Sequence, residues 1–173
     1  MWGRSPWGGY GATPLPARFQ RLWDQVKHKV RGGMPYSEGI YEDINKVICG
    51  QFYWDKDRAA LDTVREYISF EFSPDVVEDV VMAINLLEET HTKLGEKSSK
   101  ARDLLRQAEA RLTPQARNSW RWRILYLRSV VDAERFAHGE TGNKPNPVLK
   151  EAFEELTVIQ HAEQAGQRPP QVP

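Results

Sequence analysis

The chain has 173 residues, and Lys plus Arg equals Asp plus Glu at 24 each, so no overall field steers it toward nucleic acid or anionic lipid. Neutral partners, such as sugars or other proteins, are favoured. One cysteine, Cys49, excludes an internal disulfide and a cysteine-rich zinc site, and the length suffices to bury a core without either. No apolar run reaches the roughly 20 residues of a membrane span, and Met1 to Pro6 lacks the apolar core of a signal peptide, which makes a cytoplasmic protein without a membrane partner the default expectation.

Residues 1–16 mix glycine and proline with Trp2 and Trp7, a composition that resists helix and strand yet is too aromatic for a flexible linker. This segment is expected to pack against something. From Pro16, the helical spacing of Phe19, Leu22, Trp23, Val26 and Val30 predicts a first helix with those side chains on one apolar face, ended by Gly32-Gly33. Met34 to Ser37 is the one strand candidate. A second helix is expected from about Tyr41 to Phe52 on Ile44, Val47, Ile48 and Phe52, and a turn at Asp55 and Asp57 starts a third, with Leu61, Val64, Tyr67 and Ile68.

Ser73-Pro74, Thr113-Pro114 and Asn146-Pro147 each read as a helix start, because the side chain satisfies an orphan N–H and proline has none to lose. The fourth helix carries Val77, Val80, Val81, Ile84 and Leu87, and Gly95 is its expected stop. The fifth, after Ser98 or Ser99, carries Ala101, Leu104, Leu105, Ala108 and Leu112. The sixth runs from Pro114 to near His138 with Trp120, Ile124, Leu127 and Val131 as its seam, closed by Gly139. The seventh presents Leu149, Phe153, Leu156 and Ile159. The fold class expected is mainly α, a bundle of six or seven helices with one short strand or extended segment near Met34–Ser37. Residues 1–57 form an aromatic N-terminal segment, 58–165 a helical domain, and 166–173 a disordered tail.

Between the first two helices, Gly33-Met34-Pro35-Tyr36-Ser37-Glu38-Gly39-Ile40-Tyr41-Glu42-Asp43-Ile44-Asn45-Lys46 gathers tyrosines, a serine and carboxylates around one glycine. The run from Pro35 to Lys46, followed by Phe52-Tyr53-Trp54-Asp55, resembles the end of the barrel in bacterial glycoside-hydrolase-like proteins of hexosaminidase and α-N-acetylglucosaminidase style. The resemblance implies the last strand–helix unit of a truncated barrel followed by a helical C-terminal domain. It implies that Tyr36, Ser37 and Glu38 contact carbohydrate in an intact parent, completing one wall of its site. Glycosidases use two carboxylates, usually on earlier strands, so no catalytic residue is assigned and the isolated chain is expected to be inactive.

Chemically, Glu38 at a strand end suits sugar hydroxyls while Tyr36, Tyr41 or Trp54 suits the apolar face of a pyranose; the alternative is that Glu38 caps the next helix. Glu42 and Asp43, adjacent on a helix, point about 100° apart and read as first-turn carboxylates rather than an acid pair. His28, His91, His138 and His161 have no metal-ligand spacing, and no cofactor or metal is indicated. Cys49 reads as a buried inert thiol. Arg117, Trp120, Arg121, Trp122, Arg123 and Arg128 form a basic, aromatic cluster that fits either single-stranded nucleic acid or a helix paired with acidic neighbours, and neutral net charge favours the second. The competing function is a non-enzymatic helical interaction module that docks a partner, or itself, through the tryptophan-rich N-terminus.

Overall fold

A computed structural model describes residues 10–34, 36, 39–139 and 146–164. The described chain is a helical bundle of α1 (Pro16–Val26), α2 (Asp43–Trp54), α3 (Ala60–Glu71), α4 (Val77–Glu89), α5 (Glu96–Glu109), α6 (Pro114–Arg117), α7 (Trp120–His138) and α8 (Pro147–Gln164), with 3-10 turns at Ile40–Glu42 and Pro74–Val76 leading into α2 and α4. Among the described residues there is no strand. Met34 and Tyr36 lie in irregular chain with no neighbouring strand to supply ladder hydrogen bonds, while Pro35 and Ser37 fall outside the described residues. Among the described residues, no helix is long and apolar enough to cross a membrane.

Capping chemistry sets the helix starts. Ser73 Oγ accepts from the Asp75 amide at 3.2 Å, Thr113 Oγ1 from Ala116 at 3.2 Å and Asn146 Oδ1 from Leu149 at 2.8 Å, each at its Xaa-Pro step. Ser119 adds a fourth cap by accepting from the Trp122 amide at 3.3 Å, and this breaks the expected sixth helix into α6 and α7 around Asn118. Trp122, not Trp120, is wholly buried, because α7 is enclosed on more than one face: Trp122, Leu125 and Ser129 pack on one side while Ile124, Leu127 and Val131 keep the expected seam. Gly95 starts α5 instead of stopping α4; its amide donates to Ser98 Oγ while its carbonyl accepts from the Ser98 amide, a reciprocal clasp that places Ser98 inside the helix. Thr90 ends α4, its hydroxyl donating to the Leu86 carbonyl at 2.9 Å.

α5 packs between α4 and α7, α8 covers α7, and α1 lies against α2, α3 and α4. One apolar core runs from Ala12 to Ile159, continuous across position 57. A strap at Tyr10–Leu15 ties its ends together. The Ala12 amide donates to the Ile124 carbonyl at 3.0 Å and the Thr13 amide to Tyr41 at 2.8 Å, while Asn45, buried on α2, donates to the Thr13 carbonyl and accepts from the Leu15 amide. Tyr10 rests between the Phe153 ring of α8 and the Arg135 guanidinium of α7. Thus the glycine- and proline-rich N-terminal composition yields a clasp whose polar backbone is bonded by α2, α7 and the 3-10 turn at Ile40–Glu42.

Candidate functional site

α1 is held to the bundle by one side chain above all. Its indole, Trp23, stacks on Phe52 with centroids 5.3 Å apart, meets Tyr53 edge-on at 5.7 Å and donates Nε1–H to the Lys56 carbonyl at 2.8 Å. From the other end, Glu88 of α4 accepts from the Ala17 and Arg18 amides at 2.9 and 2.7 Å, satisfying orphan donors at the helix N-terminus. These anchors fix the rotation of α1, and only Pro16 and Trp23 are fully buried.

The stripe expected inside therefore lies partly outside. Leu22, Val26 and Val30, successive at four-residue spacing, are exposed to solvent. Regular α-helix stops at Val26, short of Gly32-Gly33, and one further turn carries the Val30 amide onto the Val26 carbonyl at 3.2 Å. Gly33 then crosses the Tyr53 ring so closely that a Cβ there would come within 2.7 Å of it. Met34 and Trp54, the residues that follow Gly33 and Tyr53 along the chain, are 93% and 89% exposed.

Among the five carbohydrate candidates, Tyr36 is 81% exposed and Trp54 stands on the surface, whereas Ser37 and Glu38 lie outside the described residues. Tyr41 is only 6% exposed, with its hydroxyl directed at the Leu156 carbonyl of α8 at 3.5 Å. It serves the core, because the 3-10 turn entering α2 points it beneath the strap, and it offers no ring face to a ligand on the surface.

The arginine-rich start of α7 is occupied internally. Asp43 accepts from Tyr67 Oη at 2.7 Å and from Arg121 Nε at 2.8 Å; Arg121 also approaches Glu71 at 3.5 Å and lies 4.5 Å over the Trp120 ring. Burial first, and then the Asp43 carboxylate, push the Tyr67 phenol well above its ordinary range. Arg123 bridges Glu109 and Glu155, Trp122 Nε1 donates to Glu109, and Arg128 pairs with Asp132. Arg117 donates to the Leu112 carbonyl at 3.4 Å. Asp43 is thus a structural carboxylate; Arg121 and Arg123 brace helix to helix, while Arg128 pairs within α7. Burial raises the Cys49 thiol pKa, with help from Glu42, which disfavours the thiolate. Among the described residues, no three His, Cys, Asp or Glu side chains are grouped to hold a metal ion.

An open cleft of about 620 Å³ lies between α2 and α3, walled by Val47, Gln51, Tyr67 and Phe70 and floored by Arg121 and Glu71. Both charged groups of the floor are already engaged with each other.

The outward turn of the α1 face is not legible from its apolar spacing. A signal was present: residues 16–31 hold five Lys or Arg against the single carboxylate of Asp24, in a chain neutral overall. Comparison with protein-family models, with curated proteins and with solved structures yields no match.

Proposed function

We propose that the chain is a non-enzymatic helical interaction module that docks a partner protein through the outer face of α1 and the adjoining ends of the Val30–Tyr36 segment and α2. The observation that carries this reading is that Leu22, Val26 and Val30 are solvent-exposed on the outer face of α1 and its extension, and Met34 and Trp54 are exposed in the residues directly following the Gly33–Tyr53 approach. Large apolar side chains grouped in this way are what an interface buries. Trp is also the residue type most enriched among those that dominate binding energy. The tryptophan-rich segment first expected to dock, Trp2 to Trp7, lies outside the described residues.

The experiment is photo-crosslinking in the source cells from a benzoylphenylalanine placed at Met34, with Met82 of α4, also exposed, as the control position. A discrete adduct from position 34 that is absent from position 82 and lost in Trp54→Glu is the expected result. No adduct from 34, or the same pattern from both positions, overturns the reading.

A second reading, favoured by the exposed rings of Tyr36 and Trp54, is the carbohydrate contact that the glycoside-hydrolase resemblance implies. Titration of the purified chain with N-acetylhexosamine oligosaccharides, followed by tryptophan fluorescence, tests it. A saturable change abolished by Trp54→Ala supports sugar binding, and a flat response removes it. On either reading no hydrolysis of chromogenic N-acetylhexosaminides is expected from this chain, and turnover would contradict both.

A further inference from the structure

The partner's chemistry is written in the charges around the α1 face. Arg18 and Arg21 on α1, Lys29 and Arg31 after it, and Lys56 beyond α2 form no side-chain ion pair or hydrogen bond among the described residues, although each is exposed. The carboxylates nearby are already committed: Asp24 and Asp57 both face Lys27, at 3.2 and 3.6 Å, and Asp55 accepts from the Asp57 amide. Elsewhere on the bundle most described arginines are paired with carboxylates, as Arg65 is with Glu78, Arg102 with Glu134, and Arg111 with Asp79, while Arg117 meets only the Leu112 carbonyl and Lys93 and Lys100 have no side-chain partner among the described residues. Five of the seven described cations without a side-chain partner therefore lie on or beside α1, where the exposed apolar stripe is.

The geometry of that stripe narrows the shape. Leu22, Val26 and Val30 recur every four residues over about two turns, so they form one ridge, with Arg18 continuing its row and Arg21 and Lys29 alongside it. We infer that the α1 face takes an acidic amphipathic helix of another protein, laid along the Leu22–Val26–Val30 ridge with its glutamates or aspartates opposite Arg18, Arg21 and Lys29. This rests on the interaction-module reading above and adds the identity of the occupant. An amphipathic helix buries its apolar face on such a ridge, and guanidiniums fork onto carboxylates. A second copy of this chain fits less well, since pairing α1 with α1 opposes like charges. An anionic membrane also attracts exposed cations beside Trp54 and Met34, but a lipid surface has no need of a linear ridge; it enters as an outcome of the test.

Three probes decide the matter with the full chain: a labelled synthetic helix of leucine and glutamate in heptads, the same peptide with every glutamate replaced by lysine, and vesicles of phosphatidylserine and phosphatidylcholine. Fluorescence anisotropy, and co-sedimentation for the vesicles, are read at low and at moderate salt. The acidic peptide is expected to bind at least about tenfold more tightly than the basic one, to weaken as salt rises, and to lose about tenfold in affinity with Lys29→Glu/Arg31→Glu. Val26→Asp should remove binding at any salt. Equal binding of the two peptides, binding of neither, indifference to the charge reversal, or capture by anionic vesicles in preference to the acidic peptide each overturns the inference. Circular dichroism of each variant confirms that the bundle is intact, which these exposed positions predict. The two readings fail separately: if the crosslink from position 34 survives Lys29→Glu/Arg31→Glu unchanged, the interaction module stands and the acidic partner falls.

Discussion

Arg128 and Asp132, one turn apart on α7, form an ion pair of 2.7 Å that is almost wholly withdrawn from solvent, and the same guanidinium donates to the Ala12 carbonyl of the N-terminal strap at 3.2 Å. The pair therefore joins the N-terminal strap to the central helix. Arg128→Ala strands the Asp132 carboxylate in the core and frees the strap, which should cost about 3–5 kcal/mol in urea denaturation. The double variant Arg128→Met/Asp132→Leu should recover most of that loss, because no uncompensated charge remains. Equal losses in the two variants would show that packing, not charge, dominates there.

Gly11 and Gly50 should respond to alanine with opposite signs. Gly11 has φ of +115° and a Cβ there would lie 2.7 Å from the Ile124 carbonyl oxygen, so Gly11→Ala is expected to destabilise by roughly 1–3 kcal/mol. Gly50, inside α2 with nothing within 4 Å of an added Cβ, should gain roughly 0.5–1 kcal/mol on becoming alanine. Thermal melts of both variants check the contrast. A stabilising Gly11→Ala would mean that the strap does not seat as described.

The two tryptophans at the start of α7 divide in the same way. Trp122 is fully buried, edge-on to Phe72 at 5.2 Å, and Trp122→Ala should cost about 3–5 kcal/mol. Trp120 is half-buried beneath Arg121, and its removal should cost much less, with the cation–π contact contributing about 0.5–1 kcal/mol. Comparable losses would place Trp120 in the seam after all.

Tyr67 should make the fold sensitive to alkali. Because burial and Asp43 raise its pKa in the folded state, the unfolded chain releases this proton first as pH rises past about 10, so the native state then binds more protons and stability falls. The contribution is complete below that pH and is lost through the higher folded value. Melting midpoints measured from pH 8 to 11 should fall more steeply for the native chain than for Tyr67→Phe. Parallel curves would show that the phenol is not held neutral by its site.

Much of this bundle is legible in the sequence where a single local rule decides the outcome. Ser73, Thr113 and Asn146 start helices because each cap acts within its own turn, and the apolar spacing on α4, α5 and α8 finds the core. Legibility ends where tertiary contacts choose. Ser119 caps α7 without a proline to advertise it, so the break at Asn118 and the exchange of Trp120 for Trp122 stay hidden in a pattern that fits one long helix. Leu22, Val26 and Val30 have the spacing of a buried stripe, yet the Trp23 stack on Phe52 and the Glu88 cap turn them outward. Tyr41 sits in a run with the composition of a ligand site, but the 3-10 turn that contains it drives it under the strap. Helical periodicity finds an apolar face without saying whether this chain or another one covers it.

The central claim, that the α1 face with Met34 and Trp54 is covered by another protein, is tested most directly by oxidative footprinting of the same chain inside its cells and after purification. Radical labelling reports side-chain access residue by residue, and Met82 and Phe70, exposed on α4 and α3, serve as internal references. The account predicts that Met34 and Trp54 are labelled several-fold less in cells than in the purified chain while Met82 and Phe70 change little. Equal labelling of Met34 and Trp54 in the two settings would contradict it.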